Sequence, residues 1–381
     1  MRQGYRSATD WIRMLDHALR NRRTRAALAR WAIGLAIGAL SLWVAIAVAG
    51  GFASASAALR QLDPSWLALA FVLEGASYVV VGAKLRRLIG PEFVGSVEAT
   101  ELGLVVSGFG PLTPASPAEG LALAAAHLRR RGLASRRIAL VFALTGWFSA
   151  AVFLFVSSIN LLMVAAIERD SFRDLWPFVT AAVVVLGLLW LTARMAATPS
   201  AFEGVSAIAG SFRRPSHRRS IEERRAAGAA WHREAMDLLG SRRNRASLAL
   251  LTAGALLGDV GCLWLVFRAA HTNVGFDVAL LAVTVAAVSG LVPLVPGGLG
   301  VVEAVIPAVA HHFGVAYDEG VAAALAYRAL GSFIPAGVGA VAIFGLRAHV
   351  DANSSSSLNS EPQEAVGVGV CDFGSVVIAD R

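Results

Sequence analysis

The sequence predicts an all-α polytopic membrane protein, with about six full transmembrane helices and two re-entrant or broken helical hairpins. Three observations predict it. Of 381 residues, 56% are hydrophobic and 16% charged, where soluble domains run to about 45–50% apolar and about 25% charged. The apolar residues gather into runs of about 18 or more, the length that crosses a bilayer. The basic residues stand in blocks between those runs, as charges that fix membrane orientation do. The same figures exclude an ordinary soluble enzyme and a disordered chain. Two cysteines, Cys262 and Cys371, give no disulfide framework and no thiolate metal site. The net charge of +8 is dispersed among the loops, so no nucleic-acid partner is expected.

Taken in order, residues 1–30 are a basic segment. Trp11, Met14, Leu15, Ala18 and Leu19 share one helical face, the pattern of an interfacial helix on an anionic leaflet. The transmembrane domain is residues 31–347. Its full spans are Trp31–Ala53, Trp66–Ala83, Ile138–Ile167, Leu175–Ala193, Ala246–Ala270 and Gly320–Leu346. Trp31, Trp66 and Trp176 stand at span ends as interface anchors. The first apolar run is too long for a signal peptide and reads as a retained span. Residues 194–245 form a basic loop with a helix expected over Ile221–Leu239, and 348–381 read as a disordered tail.

Orientation follows from the basic residues. Segments 1–30, 84–98, 127–137 and 194–245 hold 27 of them; loops 54–65, 168–174, 271–277 and 314–319 hold three, Arg60, Arg169 and Arg173. The first set is expected in the cytoplasm. Loops 84–98 and 127–137 then share a side, so Glu101–Ala126 enters and leaves on that side as a hairpin. Val278–Phe313 opens from the other side. Six crossings and two hairpins put both termini in the cytoplasm. Eight plain spans are the alternative.

Both broken regions carry a similar string, Pro111-Leu-Thr-Pro114 with Glu119 after it, and Pro293-Leu-Val-Pro296 with Glu303 after it. Corresponding broken segments of opposite orientation are what an inverted repeat gives, and in transporters such segments mark the binding site. Five charges lie inside apolar runs: Glu74, Glu119, Asp259, Glu303 and Arg328. Each costs about 2.5–3.5 kcal/mol at a helix centre facing lipid, so they are expected in the bundle interior. They read as a polar pathway for a charged substrate, or as a structural pair such as Glu303 with Arg328. Pro293, Pro296, Gly297, Gly298 and Gly300 expose backbone at membrane depth, tolerated only where it is buried or lines a wet cavity. A helix restarting near Leu299 aims its amides at the break, a site for an anion such as a lipid phosphate. A simple kink is the alternative.

No metalloprotease, nucleotide-binding or serine-hydrolase motif is present. Adjacent His311 and His312 point in different directions on a helix and read as interfacial rather than as metal ligands. No cofactor and no metal is expected.

The stretch Val295-Pro-Gly-Gly-Leu-Gly-Val-Val-Glu-Ala304, followed by Arg328 in the last span, resembles the lysylphosphatidylglycerol synthase transmembrane (flippase-like) family. Gly110–Gly132, with Glu119 and an Arg-Arg-Arg-Gly run, resembles that family's other motif, with Ala118 and Ala122 where members typically show Gly and Arg. The resemblance covers roughly residues 30–347. It implies a multi-pass domain in the bacterial inner membrane that translocates a phospholipid or lipid-linked molecule, with anionic lipid head groups as partners. About 35 residues follow the last span, too few for the aminoacyl-transferase domain of the two-part members. A lipid-carrier transferase, or a scaffold for a separate lipid-modifying enzyme, are the other classes of function.

Overall fold

A computed structural model describes residues 51–109, 117–168, 221–290 and 300–343, with 298, 345, 346 and isolated positions between 39 and 47 and between 180 and 198. Among the described residues all regular structure is helical. The expected spans Trp31–Ala53 and Leu175–Ala193, the amphipathic face in 1–30 and the tail 348–381 lie wholly or mostly outside the described residues, as do Pro293, Pro296 and Gly297.

The helices are α1 (Phe52–Arg60), α2 (Pro64–Ile89), α3 (Ser96–Gly103), α4 (Pro117–Arg130), α5 (Ser135–Glu168), α6 (Ile221–Leu239), α7 (Arg242–Ala269), α8 (Phe276–Gly290), α9 (Val301–His312) and α10 (Tyr317–Arg328). Two π-helical turns extend them, Leu104–Phe109 after α3 and Ala329–Phe333 after α10; beyond the second, the helix continues to Ile343. Four of these are long and apolar enough to cross a membrane: Pro64–Ile89, Ser135–Met163, Arg242–Ala269 and Tyr317–Ile343. The 26 residues of α2 rise about 39 Å, more than the roughly 30 Å hydrocarbon core. The outward faces carry Phe71, Val72, Phe155, Leu250 and Val341 exposed, a surface that suits lipid and not water.

Local sequence sets the helix ends. Asp63 caps α2 by accepting from Ser65 N at 2.8 Å, and Pro64 occupies the first helical position, where its missing N–H costs nothing. Gly90 ends the helix at φ 110°, a conformation Cβ-bearing residues resist. Ser241 caps α7 by accepting from Asn244 N.

α2 and α7 form the central pair and run antiparallel. Asp63 N donates to Ala269 O at one end, and Arg87 Nε to Asn244 Oδ1 at the other. Their close approach depends on small residues. A Cβ at Gly258 would lie 2.9 Å from Ser77 Cβ, and one at Gly261 2.7 Å from Leu73 Cδ2. Gly254 and Gly258 are spaced as the Gly-x-x-x-Gly of close membrane helix pairs.

Each central helix leads into a broken hairpin and then a long helix: α2, α3–α4, α5 and again α7, α8–α9, α10. The first hairpin begins and ends beside one end of α2. Glu98 on α3 takes Arg131 Nη2 at 2.8 Å and His127 Nε2 at 2.6 Å from the end of α4. Arg137 Nη2 donates to Ile89 O. Leu88, Val94, Leu102, Leu128, Ile138, Leu248 and Leu346 pack together at this end. Loops 84–98 and 127–137 therefore share an end, as the basic residues predict. The second hairpin opens at the opposite end, where Asn160 Nδ2 donates to Asp277 O and Val274, Val278, Ala310 and Val315 join one cluster with Phe267. Element order, opposite openings and the antiparallel central pair are those of an inverted repeat.

The Glu98 clasp ties the first hairpin shut. Burial pushes its carboxyl up, but the His127 hydrogen bond and the Arg131 charge outweigh that and hold it below its ordinary 4.5. A carboxyl lowered on folding contributes stability that is present above its unfolded value and lost as pH falls through its folded one. The Tm in detergent is therefore expected to fall as pH drops below about 4.5, and Glu98→Gln to flatten that dependence. An unchanged acid profile in Glu98→Gln would remove the clasp from the account.

Candidate functional site

Three buried charges, Glu74, Glu303 and Arg328, and the half-buried Asp259 converge on the π turn of α10. Glu74 and Tyr78 are one turn apart on α2 and face it together; Asp259 and Cys262 do the same from α7. Glu74 is 4% exposed. Tyr327 on α10 donates its hydroxyl to Asp259 Oδ1 at 2.8 Å. Tyr78 Oη donates to Gly331 O at 3.3 Å. A Cβ at Gly331 would lie 3.7 Å from Glu74 Oε1 and 3.9 Å from Asp259 Oδ1, so a glycine leaves room for both acids. A π turn displaces carbonyls from the regular helical ladder, which makes such turns frequent at functional sites; here Gly331 O is used by a side chain from another helix.

Arg328 lies at the start of this turn. Its Nε donates to Glu303 Oε1 at 3.0 Å and its Nη1 to Ser332 Oγ at 2.9 Å, with the guanidinium 5.9 Å from the centre of the Phe333 ring. Glu303 uses its other oxygen to accept from Gly300 N at 2.7 Å. The side chains of Arg328 and Glu303 are 9% and 4% exposed. The pair named from the sequence thus forms, and it joins the second hairpin to the last long helix. Gly300 is the N-cap of α9 at φ 81°, and Gly298 stands at φ 64°; both are buried. These are left-handed conformations, as expected of glycines at a break.

The first hairpin reaches the same helix. A Cβ at Gly108 would lie 2.9 Å from Pro335 O, and one at Gly339 2.7 Å from Leu104 O. The turn Leu104–Phe109 therefore lies directly against α10's continuation, about 10–16 Å along the axis from Arg328.

Of the residues singled out from sequence, Glu74, Asp259, Glu303 and Arg328 come together here, with Gly298 and Gly300 at the start of α9. Glu119 does not join them. It sits partly exposed in the first turn of α4 and makes no hydrogen bond or ion pair with the cluster among the described residues. Pro296 and Gly297 lie outside the described residues. His311 Nδ1 contacts Val315 O, and its ring stacks edge-on with Tyr317 at 5.9 Å, a packing role at a helix end. Sequence reasoning missed Tyr78, Cys262 and Tyr327. Helical spacing offered a signal, since Tyr78 is four residues after Glu74 and Cys262 three after Asp259.

A second feature lies at the end where loops 84–98 and 127–137 meet. A cavity of about 420 Å³ is lined by Val79, Ala83 and Leu251 on its apolar part and by Arg86, Arg87 and Ser96 on its polar part. Arg86 is oriented through Nε to Val94 O and Arg87 through Nε to Asn244 Oδ1.

The family described as the lysylphosphatidylglycerol synthase TM region matches residues 31–339. The chain belongs to that family. The match takes in both central helices, both hairpins and every residue of the polar cluster. No curated protein matches the chain. Family membership and the four long apolar helices make this a multi-pass integral membrane protein.

Proposed function

We propose that this member of the lysylphosphatidylglycerol synthase transmembrane family is a translocase of a phospholipid or lipid-linked molecule, acting in the bacterial inner membrane with its basic loops and both termini in the cytoplasm. The observation that carries the reading is the cluster of buried Glu74, Glu303 and Arg328 with half-buried Asp259, where a broken hairpin meets α10. Charges at membrane depth are costly and mark substrate pathways. Discontinuous helices at a repeat junction are where transporters hold substrate.

The cavity at Arg86 and Arg87 supports an anionic lipid as the partner. Its apolar part matches an acyl chain and its two guanidiniums a phosphate, the chemistry of basic pockets between membrane helices. In this reading the head group is gathered there and passes the cluster beside α10. The test is reconstitution of the purified protein in liposomes with head-group-labelled phospholipids. Movement of unmodified lipid between leaflets is expected. Chemical change of the lipid would instead favour a transferase, and neither result a scaffold for a separate enzyme.

A further inference from the structure

We propose that the Glu74–Asp259 pair is a proton-binding site, with Glu74 carrying the proton, and that its protonation is coupled to lipid movement. The coupling rests on the translocase reading; the proton site does not.

The first ground is a count of charges. The cluster holds three acids, Glu74, Asp259 and Glu303, and one guanidinium, Arg328. Arg328 is engaged by Glu303 through Nε at 3.0 Å. The groups that face Glu74 are Tyr78 on its own helix, Asp259 and Cys262 on α7, and Tyr327 at Gly331's end of α10. None is a cation. Asp259 is the better provided of the two acids, with the Tyr327 hydroxyl at 2.8 Å and the Arg328 charge acting on it. The buried Lys84 is ten residues from Glu74 along α2, about 15 Å, and donates to Ser149 Oγ.

The second ground is independent of the count. Glu74 is 4% exposed, and its Oε2 is buried with no hydrogen-bond partner among the described residues. A buried carboxylate oxygen without a donor is the costliest state of that group; a carboxylic acid in the same place carries no charge. The surroundings fit a proton better than a metal cation, which needs a shell of oxygens. The Tyr327 hydroxyl and Gly331 O are already engaged, and the remaining side-chain partner of the Glu74 carboxyl is the Cys262 thiol, which supplies no oxygen. In the step itself a proton from water adds to one Glu74 oxygen and later returns to water; no other bond changes.

Infrared spectroscopy of the purified protein tests the site without any transport. A carboxylic C=O band that shifts in deuterated water is expected at neutral pH in the wild type. It should be lost in Glu74→Gln and kept in Glu303→Gln. Absence of the band from the wild type, or its survival in Glu74→Gln, overturns the proton site. Coupling is read in proteoliposomes under an imposed pH gradient. One pH unit is worth a factor of ten, so the transbilayer lipid ratio should shift by up to about tenfold per unit in the wild type and not at all in Glu74→Gln. A ratio that ignores pH, or that follows a sodium gradient instead, overturns the coupling. Wild-type protein that moves no lipid counts against the translocase reading and leaves the infrared result to decide the proton site.

Discussion

Arg328→Ala is expected to unfold about 3–5 kcal/mol more readily than the wild type, the cost of removing one partner of a buried ion pair, and to lose lipid movement. The loss is large because Glu303 would keep its charge at 4% side-chain exposure with, among the described residues, the Gly300 amide alone left to it. Ser332 Oγ and the face of Phe333 would also lose their cation. Reversible unfolding in detergent measures the first effect and reconstitution the second. A double variant, Glu303→Gln with Arg328→Gln, separates packing from function. It removes both charges, so most of the stability should return while lipid movement stays absent. A double variant that still moves lipid would make the pair a clamp between α9 and α10 and nothing more.

Gly300→Val is the second large effect. Gly300 sits at φ 81°, where a Cβ costs about 1–2 kcal/mol and a β-branched residue is a steric outlier. Its amide is the donor that fixes Glu303 Oε2 at 2.7 Å, so a shift of this residue moves the acid away from Arg328. Lipid movement should fall at least as far as in Glu303→Gln, with protein still present in the membrane. Gly337→Ala is the matched control. That glycine is helical and a Cβ there meets nothing within 4 Å, so the change should be neutral or slightly stabilising. Activity retained in Gly300→Val would mean that the break does not position Glu303 for function.

Much of this architecture is legible in the chain. Four long spans follow from apolar runs, because a bilayer demands both length and hydropathy and the sequence supplies both. The first hairpin follows from Arg86, Arg87, Arg129, Arg130 and Arg131, which force its two ends to one side. The Glu303–Arg328 pair is legible because neither charge tolerates lipid alone. The helix Ile221–Leu239 is read from sequence with the bounds the structure gives.

Other features are hidden for physical reasons. Ala-Leu-Gly-Ser-Phe at 329–333 contains no residue that demands a π turn; its use is seen only in the fold, where Tyr78 reaches the Gly331 carbonyl and Arg328 the Ser332 hydroxyl. Glu98 reads as a loop charge, since its partners His127 and Arg131 are about 30 residues away and meet it only when the hairpin closes. The Pro-Leu-x-Pro strings match Glu119 with Glu303 by position in the two repeats. Position in a repeat does not give chemistry: Glu303 finds Arg328 on the helix after its hairpin, and among the described residues no arginine pairs with Glu119. The Gly254–Gly258 spacing was available and marks the seam on which the two central helices cross.

In the proposed translocase a lipid head group reaches the cluster on α10 inside the bilayer. Photo-crosslinking of the reconstituted wild-type protein with a phospholipid carrying the reactive group on its head group tests this most directly. Adducts are predicted on peptides containing Arg86 and Arg87 and on the peptide containing Tyr327–Phe333, the latter depleted in Arg328→Ala. Adducts confined to the basic loops and outward-facing surfaces, with none on the Tyr327–Phe333 peptide, would contradict the claim.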